Sequence, residues 1–188
     1  MKRTSFSSWP CSIARTMDLV GDAWTPLVLR EAFYGIRRFD DFQQELGIAR
    51  NTLADRLARL VAAGLLAKHA YETTPARYEY LLTESGRDFY GVLLAVTAWG
   101  DRWLSGESGP PITTHHDTCG HDTTAEVVCS HCGQPLAWDE VTPRPGPGYP
   151  PKLLSRTDIR RRFHLDPEPG QAAAADAADN PVAGARVR

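Results

Sequence analysis

The chain has 188 residues, with 21 Lys and Arg against 23 Asp and Glu, which suits one ordinary domain plus an appendage. A formal net charge of −2 argues against a uniformly basic nucleic-acid coat, and no apolar run approaches the roughly 20 residues that span a bilayer. The opening MKRTSFSSWPCSIARTM starts basic but has no apolar h-region or small-residue cleavage site, so the expected compartment is the cytoplasm.

Residues 12–34 carry the first helical rhythm. Ile13, Met17 and Val20 lie before Gly21-Asp22, and Leu27, Val28 and Ala32 follow it. Asp22 is placed to cap a second helix whose first turn accommodates Pro26. Trp24 and Phe33 read as core aromatics. In Phe39–Leu65, the residues Phe39, Phe42 and Leu46 share one helical face, Gly47-Ile48 interrupts, and Leu53, Leu57, Leu60 and Val61 resume. Glycine suits the position past a helix end, where φ turns positive. Two amphipathic helices so closely joined form a corner whose commonest functional form is the DNA-binding helix-turn-helix. Charge gives weak support: residues 37–77 hold seven basic and five acidic side chains.

Alternation of Tyr78, Tyr80 and Leu82 with Arg77, Glu79 and Leu81 predicts a half-buried strand. With Thr73-Thr74-Pro75-Ala76 as the turn, Leu66–Tyr71 and Arg77–Leu82 should pair as a wing. Thr83 is placed to cap a long helix, Glu84–Leu104, on which Phe89, Leu93, Val96, Trp99 and Trp103 form an aromatic-rich stripe. Intramolecular packing is the plainer use of that stripe; a dimer interface fits its size better.

These parts, in this order, resemble the HxlR-type branch of the MarR-like winged-helix transcriptional regulators. The resemblance rests on Cys11, on LVGDAWTPLVL at 19–29, on Gly35-Ile36-Arg37-Arg38-Phe39, on Leu53-x-x-Arg56-Leu57-x-x-Leu60, on Gly64-Leu65, and on Tyr80-x-Leu82-Thr83-Glu84-x-Gly86. It covers about residues 9–104. Two positions depart from the family pattern. Ala23 replaces a usual basic residue, and Ala49 replaces the Ser that would cap the recognition helix, at a cost of about 1 kcal/mol. The implied fold is mainly α with a small β-hairpin wing, a winged helix-turn-helix. The implied function is sequence-specific regulation of transcription by a homodimer on a near-palindromic site in double-stranded DNA, with Ile13–Val20 and the aromatic stripe as dimer elements.

On a helical wheel with Leu53 inward, Asn51, Asp55, Ala58 and Arg59 face outward, Thr52 lies to one side, and Arg50 and Arg56 flank. Asn51 suits adenine edges, Asp55 can accept from cytosine, and Thr52 bonds widely. Arg50 and Arg56, together with Arg37, Arg38 and the wing residue Arg77, suit phosphates, which position the helix. Arg59 reads better as a solvated charge, and Asp55 could instead pair with it at i,i+4.

Cys11 stands where many relatives of this type carry a thiol that responds to oxidants or electrophiles, and it precedes a helix with Arg15 one turn on. As a candidate redox sensor it competes with the plainer reading of a small buried apolar residue. A small-molecule or electrophile effector is thereby implied as a partner.

After Ser105, His116-x-x-Cys119-Gly120 and Cys129-x-x-Cys132-Gly133 repeat one spacing. Such turns point backbone N–H groups at the ligand sulfur, and two of them supply a Cys₃His set for a structural zinc. His115, His121 and His131 are spare candidates. The alternatives are a turn that holds no metal and a Cys129–Cys132 disulfide. Val127-Val128 should form a short strand of a small zinc-ribbon-like module. PRPGPGYPP at 143–151 reads as a stiff linker, 152–165 as a short basic helix, and 166–188 as a disordered tail. The expected domains are therefore 1–105 for DNA binding and dimerisation, 106–142 for the zinc-ribbon-like module, and 143–188 for linker, helix and tail. A second functional reading is a zinc-dependent interaction module that docks a partner protein through its winged helix. No nucleophilic triad or phosphate loop suggests an enzyme.

Overall fold

The structure, a computed structural model, describes residues 5–166. The chain falls into two units, one ending at Leu136 and the other beginning at Ala137.

In the first unit, helices α1 (Ser12–Val20), α2 (Thr25–Phe33), α3 (Phe39–Leu46) and α4 (Arg50–Ala62) precede a hairpin of β1 (Leu66–Thr73) and β2 (Ala76–Leu82). Val20, Val28, Leu29, Phe42, Leu53, Leu57, Leu60 and Leu66 are buried in one cluster, against which Trp24 and Phe33 pack half-buried. The apolar periodicity of each helix faces this cluster, and each fully buried Leu or Phe stabilises the fold by about 1.5–3 kcal/mol. Gly21 closes the first helix, and Asp22 binds the entry of the second, whose N-cap residue is Trp24: its Oδ1 accepts the N–H groups of Trp24 at 3.0 Å and Thr25 at 3.1 Å. Gly47 takes φ 59° between α3 and α4, which lets the corner close.

Strands β1 and β2 pair antiparallel, with Leu66 opposite Leu82 and Thr73 opposite Ala76. Both strands therefore run further toward the tip than the sequence suggests, because Thr73 and Ala76 pair and leave only Thr74 and Pro75 in the turn. Arg38 bridges to Glu79, and Tyr80 donates its N–H to the Arg37 carbonyl at 2.8 Å, adding a rung that ties the start of α3 to the wing.

Thr83 caps the next helix, its Oγ1 accepting the Gly86 N–H at 3.1 Å. A Cβ at Gly86 would lie 2.1 Å from the Leu65 carbonyl oxygen, so only glycine fits this approach. The expected continuous helix is divided at Phe89 into α5 (Glu84–Asp88) and α6 (Tyr90–Leu104). Its stripe also divides: Phe89 and Leu93 pack on the core, whereas Val96, Trp99 and Trp103 are 61%, 59% and 62% exposed. No residue of α6 is buried.

After α6, β3 (Thr114–His116) pairs with β4 (His121–Thr123). Val127-Val128 does not form the expected strand; Val128 makes a single bridge to Pro135. The second unit holds α7 (Pro151–Leu154) and α8 (Thr157–Arg162), with Tyr149 and Phe163 edge to face at 5.2 Å. The single helix expected over 152–165 is broken at Ser155 and Arg156. The tail expected from 166 lies, beyond Asp166 itself, outside the described residues.

Candidate nucleic-acid interface

Helix α4 shows its buried face through Leu53, Leu57 and Leu60 and leaves Asn51 and Asp55 exposed, with Thr52 half-buried at the edge. Its N-cap is Ala49, with no side-chain hydrogen bond. The free N–H groups of the first turn, and the positive end of the helix dipole with them, therefore open toward solvent beside Arg50.

A groove of about 500 Å³ separates this end of α4 from the wing, lined by Arg38, Arg50 and Arg77 with Tyr71 and Tyr78. Three of the predicted phosphate-binding arginines therefore converge, although they come from three different elements. Each is oriented by an aromatic ring or a carboxylate. Arg38 lies 4.8 Å over Tyr71 and 3.5 Å from Glu79; Arg50 lies 4.7 Å over Phe39 and 3.3 Å from Asp40; Arg77 lies 3.2 Å from Glu72. Exposed ion pairs of this kind contribute about 0–1 kcal/mol, so a phosphate can replace the carboxylate at small cost. Arg37 is exposed at the approach to α3, where its carbonyl anchors it to the wing. Lys68 lies 3.9 Å over Tyr78 and adds a cation on the wing face that strand alternation alone does not single out.

Arg56 behaves differently from its sequence expectation. Its Nε donates to Asp22 Oδ1 at 2.8 Å, with the two side chains only 19% and 17% exposed, and its Nη1 pairs with Asp55. The guanidinium thus braces the α1–α2 junction against α4 instead of standing free for a phosphate. Asp55 correspondingly pairs with Arg56 and not with Arg59. Arg59 is no solvated charge either: it donates to the Asp18 carbonyl at 3.0 Å and lies 3.9 Å from Asp22. Burial pushes the Asp22 carboxyl up, but hydrogen bonds from the Thr25 hydroxyl and from the Thr25 and Trp24 N–H groups outweigh it. Together with the Arg56 charge they hold Asp22 below 3.8. Sequence reading assigned Asp22 only a capping role, because nothing local marks a partner 34 residues away.

Cys11 is exposed, which overturns the plainer reading of a buried apolar residue. It is the N-cap of α1, its Sγ accepting the Ala14 N–H at 3.5 Å.

The Cys/His appendage forms two separate turns. Gly120 donates its N–H to the His116 carbonyl and Gly133 to that of Cys129, each at 2.8 Å, with φ of 69° and 73° at the two glycines. The same turn is therefore built twice. In the first, Cys119 Sγ lies 3.3 Å from His116 Nδ1. In the second, the N–H groups of Cys132 and His131 point at Cys129 Sγ and lower its thiol pKa, as a ligand turn does. Chemically these donors suit zinc. As placed, however, the four do not converge: among the described residues no group of three or more His, Cys, Asp or Glu is poised around one ion. The spare histidines are otherwise engaged, His115 with Asp122 at 2.9 Å and His121 Nδ1 with the Cys119 carbonyl at 2.7 Å. Among the described residues, the His131 ring makes no such contact.

Comparison with known proteins agrees with the arrangement of α4 and the wing. A model of HxlR-like helix-turn-helix proteins matches residues 19–108. An uncharacterised HTH-type transcriptional regulator of Mycobacterium tuberculosis, Rv3095, is 46% identical over 144 residues, which is 77% of this chain and 91% of that one. The crystal structure of PA1607, described as a transcription factor, superposes with a TM-score of 0.67 at 33% identity over 73% of this chain and 96% of its own. A second structure so described, PA1374 of Pseudomonas aeruginosa, gives 0.55 at 35% identity over 81% and 99%.

Proposed function

The chain belongs to the HxlR-like helix-turn-helix family of DNA-binding transcriptional regulators, and from that premise we propose that it acts as a homodimer on a near-palindromic operator. Each copy lays the N-terminal turns of α4 in a major groove, where Asn51, Thr52 and, once released from Arg56, Asp55 reach base edges. Arg38, Arg50 and Arg77 hold the flanking phosphates, Arg37 adds a contact ahead of α3, and Arg56 keeps α4 at its angle. The observation that carries this reading is the groove shared by Arg38, Arg50 and Arg77 beside the open end of α4. The activity is binding and not catalysis, exerted in the cytoplasm with the DNA; among the described residues no helix is long and apolar enough to cross a membrane.

Sequencing the fragments that the protein selects from a random DNA pool tests the proposal. A single inverted repeat should emerge, and Asn51→Ala should relax its preference by about 1–3 kcal/mol at one base pair of each half-site. A pool without enrichment, or a preference untouched by Asn51→Ala, defeats the assignment.

Zinc enters as a second proposal. A structural Zn²⁺ held by His116, Cys119, Cys129 and Cys132 would draw the two turns together, since metal binding and local folding are coupled. Its support is the ligand turn built twice. Reduced protein should carry one equivalent, and Cys129→Ser should abolish it; less than half an equivalent in the wild type sinks the proposal.

A further inference from the structure

Helix α6 has two unlike sides. Val92, Val96, Trp99 and Trp103 recur at helical spacing on the exposed stripe. Tyr90, Leu94, Thr97 and Asp101 recur on roughly the opposite side at 3.6 residues per turn. That second side does not close on α2. It leaves a cavity of about 210 Å³, whose third wall is the segment 111–114 that follows α6. Three rings line the cavity: Phe33 and Tyr90, with centroids 4.7 Å apart, and Tyr34 at the end of α2. Ile112 covers them from the third wall. The wall lies beyond residue 108, where the match to the family model ends, so the cavity depends on a part of this chain that the family model does not describe.

The charges around the cavity are unequal. Arg30 lines it and stands 6.0 Å over the Tyr34 ring, but its guanidinium pairs with the buried carboxylate of Glu31, so that charge is already answered and the Phe33 and Tyr90 rings are left to a ligand. Asp101 is half-buried at the cavity wall, and among the described residues its carboxylate has no hydrogen-bonded or ion-pair partner. The net demand of the cavity is therefore for a flat apolar ring carrying a positive charge. Aromatic walls serve such a ligand twice, through ring contacts and through attraction of the cation to the ring faces. The volume suits one ring and a short cationic arm.

We propose that this cavity between α2, α6 and residues 111–114 is a binding site for a small aromatic cation, an amine or amidine on a single ring, with Asp101 as its counter-ion. Because the site lies on the side of α6 away from the exposed stripe, a dimer formed through the stripe leaves it open to solvent. The site deepens the regulator reading by naming the chemical class of an effector, but binding itself is measured without DNA, so the two stand or fall separately.

The test uses the full chain and three single-ring probes of similar size and different charge, followed by saturation-transfer NMR and calorimetry: benzylammonium, benzyl alcohol and benzoate. Benzylammonium should bind saturably in the millimolar range or tighter, benzyl alcohol more weakly, and benzoate least. Asp101→Asn should weaken benzylammonium about tenfold and leave benzyl alcohol unchanged. Ile112→Trp, an exposed position where extra bulk fills the cavity and spares the core, should abolish binding of both while circular dichroism stays that of the wild type. Benzoate binding in preference to benzylammonium, no saturable binding by any probe, or binding indifferent to both substitutions would each overturn the proposal. A loss of operator binding with ligand binding intact would count against the DNA reading alone.

Discussion

Ala49 occupies the N-cap of α4 without a side-chain acceptor, and the N–H groups of the first turn have no partner there. A serine at this exposed position would accept from the Thr52 N–H, and its backbone is already extended, as a cap requires. Ala49→Ser should therefore raise stability by about 1 kcal/mol, or several degrees in Tm for a domain of this size; an unchanged melting curve would mean that those N–H groups are already satisfied. Cys11 is the other residue at which one atom carries much. Alkylation of its exposed Sγ removes the acceptor of the Ala14 N–H and puts bulk on the first turn of α1, beside exposed Ile13. N-ethylmaleimide should accordingly weaken operator binding by the wild type and leave Cys11→Ser unaffected. Equal losses in both would trace the effect to Cys119, Cys129 or Cys132.

Helix α4 is placed by more than its leucines. Asp22 receives two N–H groups, the Thr25 hydroxyl and the Arg56 guanidinium, so the α1–α2 junction and the recognition helix share one carboxylate. A charge-assisted bond this little exposed contributes about 2 kcal/mol, and Arg56→Met should cost that much while weakening operator binding through the angle of α4. The pH dependence has a definite sign. Asp22 titrates below its ordinary value in the folded chain, so its contribution is complete above about pH 4 and is lost as the pH falls through the lower folded pKa. Urea titrations between pH 5 and 2 should show a shallower fall in stability for Asp22→Asn than for the wild type; parallel curves would remove Asp22 from the acid response. This brace also marks how far the sequence was legible. The periodicities of α3 and α4, the glycine at their corner and the alternation of the wing are local, and they place Asn51, Arg50 and Arg77 correctly on the open face. The partner of Arg56 is set by tertiary approach across 34 residues, and Arg59 likewise reaches the Asp18 carbonyl across 41, so wheel positions alone left Arg56 on the flank, free for a phosphate, and Arg59 as a solvated charge. The same limit applies to the appendage. Spacing specified two glycine-closed turns, each of which formed, but no pattern in the sequence fixes the distance between them.

At the scale of the whole molecule, a formal charge of −2 supplies no general attraction to DNA, so in the proposed dimer affinity comes from the few cations of the groove, used twice. The exposed Val96, Trp99 and Trp103 on α6, with Ile13 on α1, offer an apolar surface for the proposed pairing of two copies. Each aromatic side chain buries about 150–250 Å² when covered, so two tryptophans per copy bring an interface well toward the roughly 1,200–2,000 Å² of a stable complex. Pairing then converts the second groove contact into an intramolecular event at high effective concentration. Salt makes this countable. Three groove arginines and Arg37 per copy give eight phosphate contacts in the proposed dimer, and with a slope near −0.9 for each, log K should fall against log salt with a slope of about −7. Arg77→Ala removes two of the eight, so its slope should be shallower by about 2, with unchanged preference among sequences because phosphates carry none. Trp99→Asp places a charge in the apolar stripe and should yield a monomer by sedimentation, with about half the wild-type slope. A Trp99→Asp protein that is monomeric yet keeps the full slope would show that one copy supplies all the phosphate contacts. A wild type that sediments as a monomer while binding a two-fold operator tightly would place the pairing surface elsewhere than on α6.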